Sequence, residues 1–186
     1  MTRAAESVMA AGAALLLLAA CQGSERPSPT VPTAAATGPT RTYDEEELAV
    51  YRRAVRRVED FEVENQRILA AGRATEEARR FYQHRLRTWR SSYALLQSYE
   101  RRGIRIARRP VVISTTATSI KSFQDNAAEV VLARCTDQSD LGMTRNGVPL
   151  SAAHDEPVIQ EVTVYRSENR TWTIGPFTTT DRPCGP

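Results

Sequence analysis

Chemistry in this 186-residue chain has few groups to draw on: three cysteines (Cys21, Cys135, Cys184), two histidines (His84, His154) and scattered carboxylates. Cys135 and Cys184 lack a CxxC spacing, so a redox-active or metal-binding pair could recruit only the two histidines. The sequence holds no GxSxG nucleophile elbow, no P-loop, no GxGxxG and no HExxH. The common routes to hydrolysis and nucleotide or metal chemistry are therefore missing, and no cofactor or metal is expected. His84 lies two positions from both Tyr82 and Leu86, roughly opposite an apolar stripe, which predicts a solvated side chain. His154 sits in the polar AHDEP segment beside Asp155, and Asp137 and Asp140 follow a strand-like run where turn and capping roles are ordinary.

Cys21 belongs to a different chemistry. Residues 1–20 start with a basic position at Arg3 and continue as an apolar run over residues 8–20, shorter than the roughly 20 residues a membrane span needs. This fits the apolar region of a secretion signal. Leu18-Ala19-Ala20-Cys21 resembles the lipobox of bacterial lipoproteins, which implies cleavage before Cys21 and acylation of its sulfur. The alternatives are an ordinary secretory signal with a stray cysteine, or an uncleaved short anchor. Next comes a tract with Pro27, Pro29, Pro32 and Pro39 among Ser, Thr, Ala and Gly, too poor in apolar surface to fold. Fully extended, it reaches about 60 Å at roughly 3.1 Å per residue. The expected organisation is a signal peptide over 1–20, a lipidated tether over 21–42 and a globular domain over 43–186, held at the outer face of the bacterial cell membrane. In that oxidising setting Cys135 and Cys184 are expected to pair.

Charge divides the chain. Residues 41–109 carry 17 arginines against 11 acidic residues, while residues 110–186 carry 6 basic and 9 acidic ones. The arginines alternate with acids along helical faces, which argues against a nucleic-acid partner. A solvated face is the ordinary reading, with attraction to anionic lipid headgroups as the alternative.

The elements that must position these groups change character near Pro110. Leu48, Tyr51, Val55 and Val58 recur at helical spacing, behind acidic residues 44–47 that suit a helix N-terminus. A second short helix is predicted over 63–71, stopping at Gly72. The strongest helix carries Ala78, Tyr82, Leu86, Trp89, Tyr93 and Leu96 on one face, capped by Thr75 and closed near Gly103. Its aromatic stripe reads as core. Beyond it the period falls to 2: strands are predicted over 111–120 and 128–136, a small hairpin at Asn146-Gly147, and a final hairpin joining 158–166 to 170–177, with Tyr165 half-buried. Helices followed by an antiparallel sheet make an α+β domain.

The order of elements, with GIRIARRPVVISTTATSI, VVLARCTDQSD, NGVPL, EVTVYRSENRTWTI and a terminal cysteine, resembles small actinobacterial secreted proteins and lipoproteins with an NTF2-like fold, over about residues 43–184. The resemblance implies a cone in which N-terminal helices pack on a curved antiparallel sheet, with a pocket that Trp89, Tyr93 and Trp172 help fill. The acidic TDQSD loop departs from the expected rim. Domains of this kind host enzymes and binders alike. The expected function is a non-catalytic envelope module that binds a protein partner or a small apolar ligand. The alternative is a small lyase, isomerase or hydrolase using Asp137 and His154 as an acid–base pair.

Overall fold

The computed structural model describes residues 42–151 and 156–184. The segments expected as signal and tether lie outside the described residues apart from Thr42, as do Cys21 and His154. Three helices, α1 (Glu45–Ala71), α2 (Glu76–Arg85) and α3 (Trp89–Arg101), precede seven strands. These are β1 (Ile104–Ile106), β2 (Val111–Ser122), β3 (Ala128–Asp137), β4 (Met143–Arg145), β5 (Val148–Pro149), β6 (Val158–Arg166) and β7 (Trp172–Pro183).

Helix α1 begins with a capping box, in which the Asp44 carboxylate accepts the Glu47 N–H at 2.8 Å and the Glu47 carboxylate accepts the Asp44 N–H at 3.3 Å. It ends at Gly72, whose φ of 61° is the left-handed conformation a helix terminus commonly uses. The two helices expected over this region are one helix of 27 residues. The segment expected to separate them, residues 59–62, continues the helix, with Phe61 buried in the core and Glu62 paired to Arg134 of β3. The single long helix expected after Thr75 is instead two, since Leu86 leaves helical geometry to form a parallel bridge with Ile174. Thr75 caps α2 as expected, accepting the Ala78 N–H.

Strands β2, β3, β6 and β7 pair antiparallel in sequence order, and β1, β4 and β5 form a separate three-stranded sheet. Asn146-Gly147 turns β4 into β5 with both φ angles positive, at 52° and 83°, as a tight two-residue hairpin requires. The expected NTF2-like cone is corrected here. Among the described residues the larger sheet is open, with β2 and β7 at its edges, and no ladder joins it to the smaller sheet or curls it closed. The α+β class stands without that closure.

The core fills the space between helices and the larger sheet. Val50, Ala54, Val58 and Phe61 of α1, Tyr82 of α2 and Leu96 of α3 pack on Val130, Leu132, Val162, Val164 and Ile174. Cys135 and Cys184 are bonded, with Cα atoms 5.6 Å apart, so the C-terminal strand is fastened to β3 as the thiol count predicted.

Candidate functional site

The inward face of α1 changes from apolar to polar along its length. Beyond Phe61 it presents Glu62, Asn65 and Gln66, each engaged by a different element. Asn65 Oδ1 accepts the Tyr82 hydroxyl at 2.8 Å, while the Gln66 amide donates to the carbonyls of Ile106 and Ala107. Glu62 receives both guanidinium nitrogens of Arg134 at 2.8 Å, and Arg134 also reaches Gln160 Oε1 at 3.3 Å. Arg134 is 3% exposed in its side chain. It lies on the helix-facing row of β3 with Ala128, Val130, Leu132 and Thr136, as alternation along a strand dictates.

A cleft of about 260 Å³ opens beside this ion pair, between the second half of α1 and the chain that joins β1 to β2. Phe61, Leu69, Ile106, Leu141 and Phe177 wall it, Glu62 and Gln160 lie at the ion-pair side, and Arg108 and Arg109 line its outer part. Phe61 stacks on Phe177 with ring centroids 5.8 Å apart. A further hollow of about 190 Å³, toward Tyr82, Leu96 and Tyr99, shares Phe61, Asn65, Leu69, Ile106 and Phe177 with the cleft. Arg108 is paired with Asp140 at 2.6 Å.

The aromatic residues singled out by sequence take separate places. Tyr82 is buried, and burial, with Tyr99 nearby, pushes its phenol well above the ordinary tyrosine range. Tyr93 is half-buried and donates its hydroxyl to the Ala74 carbonyl at 2.9 Å, and Trp89 packs half-buried against the core. Tyr165 is half-buried under the Arg87 guanidinium, 4.1 Å from its ring centroid. Trp172 opens β7 beside Arg166. Of this set only Tyr82 touches either lobe of the cleft.

Asp137 ends β3, where the Ser139 hydroxyl and backbone N–H hold its carboxyl below the usual carboxylate range. That is the opposite direction from a base tuned toward neutral pH. His84 is exposed on α2. No three metal-ligating side chains gather among the described residues, and none of their helices is long and apolar enough to cross a membrane.

Glu62, Arg134 and Gln160, which form the polar part of the site at its ion pair, carry no motif in the sequence. Their signal was the alternation in β3, which puts Arg134 in line with Val130 and Leu132. No known family model, curated protein or solved structure matches this chain. The resemblance to NTF2-like secreted proteins is therefore corrected: it rested on the order of elements, and neither a relative nor a closed sheet accompanies that order.

Proposed function

We propose that this chain is a lipid-anchored, extracytoplasmic binding module, attached through Cys21 and a tether over residues 22–42, whose cleft along α1 takes a small, mainly apolar molecule. The observation that carries the reading is the lining of the cleft. Phe61, Leu69, Ile106, Leu141 and Phe177 supply an aromatic and aliphatic wall, and of the polar side chains beside it Glu62, Asn65, Gln66, Arg108 and Gln160 are already engaged within the fold, an arrangement that suits a mainly apolar ligand. Its size suits a small molecule, since a stable protein interface buries about 1,600 Å². The signal-length apolar run and the Leu-Ala-Ala-Cys pattern support the location, which intact mass measurement of the membrane fraction tests through acylation of Cys21.

The ligand reading is tested with 1-aminoanthracene, an apolar fluorophore of suitable size. Saturable enhancement of its fluorescence by the full chain is expected, and Ile106→Trp, placed at a residue that lines both lobes, is expected to abolish it while far-ultraviolet circular dichroism and cooperative unfolding stay native. Leu141→Trp, from the segment that pairs with residues 107–108, provides a second filled variant. Undiminished binding by both filled variants would overturn the reading.

A further inference from the structure

A second concavity lies away from the apolar cleft, on the side of the domain where α1, α2 and the β6–β7 hairpin come together. It is an open hollow of about 500 Å³ in which Arg57 of α1, Arg85 and His84 of α2, and Arg170 of the hairpin surround Phe81 and Trp172. Three separate elements thus bring guanidinium groups to one place. No carboxylate lines the hollow, and none of the three arginines forms an ion pair with a described residue. Arg67 and Arg79, which do not line the hollow, are paired with Glu64 and Glu76.

The backbone at Arg170 is fixed by the turn, which sets where its side chain emerges. Arg170 closes the turn between β6 and β7 with a φ of 61°, its N–H bonded to the Ser167 carbonyl at 2.8 Å. The Ser167 hydroxyl donates to the Thr171 carbonyl, and the Thr171 N–H donates to Asn169. Arg166, opposite Trp172 in the β6–β7 register, lies 5.7 Å from the indole and carries a buried Nε with no hydrogen-bond partner among the described residues. Unneutralised guanidinium groups around an aromatic floor concentrate planar donors and positive potential where few of their own acceptors reach.

We propose that this hollow binds a phosphate ester, its phosphoryl oxygens taken by Arg57, Arg85 and Arg170 and its organic part resting on Trp172. Guanidinium forks match phosphate oxygens in pairs, and phosphate brings the charge that three cations need. The hollow exceeds a bare phosphate group in size, which leaves room for the esterified body. This site is separate from the apolar cleft and does not rest on the function proposed for it.

Trp172 is its own reporter. The chain has two tryptophans, so Trp89→Phe leaves Trp172 as the one emitter. Glycerol phosphate titrated into that full-length variant, at constant ionic strength set with sodium chloride, is expected to change Trp172 emission saturably. Arg57→Gln with Arg170→Gln should weaken this by about tenfold or more, as loss of charged hydrogen bonds dictates. Arg67→Gln with Arg79→Gln, neither of which lines the hollow, should leave it unchanged. Vesicles of phosphatidylglycerol in phosphatidylcholine distinguish the sources. A Trp172 response to these vesicles that Arg57→Gln with Arg170→Gln removes assigns a lipid headgroup. A response to glycerol phosphate alone assigns a soluble ester. No saturable response to either, or an equal loss in both double variants, overturns the proposal.

Discussion

Arg134 of β3 and Glu62 of α1, 72 residues apart in sequence, meet through two parallel contacts of 2.8 Å in the space between helix and sheet. Both side chains are largely withdrawn from water, so each charge depends on the other. Removing one partner strands the other. Glu62→Ala is expected to cost about 3–5 kcal/mol in denaturant unfolding, whereas Glu62→Leu combined with Arg134→Met should recover most of that loss. A double variant no more stable than Glu62→Ala would show that the pair is not the origin of the penalty.

The bond between Cys135 and Cys184 closes a loop with a sequence separation of 49 residues. In the chain-entropy account a loop of that size contributes about 4 kcal/mol by restricting the unfolded chain. Relative to the oxidised protein, a reductant and the double substitution Cys135→Ser with Cys184→Ser should lower the unfolding midpoint by the same amount. A reductant effect that persists in the double serine variant would place its cause elsewhere.

Gly103 joins α3 to β1 with a φ of 64°, and a Cβ at this position would collide with the side-chain amide of Asn146. The Asn146 N–H donates to the Gly103 carbonyl at 2.8 Å, which ties the end of the helix to the β4–β5 turn. Gly103→Ala is expected to destabilise the domain by more than about 1 kcal/mol. Gly147→Ala, at φ 83° with open space around it, should show the cost of backbone conformation without the collision. Thermal unfolding of the two variants separates these contributions.

Tyr82 makes stability depend on alkaline pH. Its phenol is raised above the ordinary value of 10.0 mainly by burial, so the folded protein keeps a proton that the unfolded chain releases. The contribution is complete below pH 10.0 and is lost as pH rises from there through the raised native value. Tyr82→Phe should flatten the alkaline decline in unfolding free energy. An unchanged decline would assign it to another group, Tyr51 being the first to examine because its phenol is also raised by burial.

Local patterns in the sequence were legible where local chemistry decides the outcome. Thr75 capping α2, Gly72 ending α1, the Asn146-Gly147 turn and the pairing of the two downstream cysteines all follow from short-range rules. The continuity of α1 did not, because Glu62, Asn65 and Gln66 are satisfied by Arg134, Tyr82 and the backbone at residues 106–107, partners that only the fold brings near. The break before α3 was hidden for the same reason, since Leu86 leaves its helix for a strand nearly ninety residues away in sequence. Alternation identifies strands and their faces but does not encode whether a sheet closes, so the cone was an inference from element order alone. The cleft shared this fate: its walls come from α1, β1, β7 and the segment at Leu141, which only the fold assembles, and the ion pair beside it joins α1 to β3.

The first and last parts of the described chain are fastened to adjacent strands. Tyr43 donates its hydroxyl to the Ala117 carbonyl of β2 at 2.9 Å, Tyr51 repeats the contact two residues away at Thr115, and Cys184 is bonded to Cys135 of β3. A pulling force applied at either end therefore enters neighbouring strands directly instead of peeling α1 or the end of β7. Both fastenings thus converge on one pair of strands, the long β2–β3 ladder. Mechanically, the domain resembles a link clamped at both ends more than a thread that unravels from one.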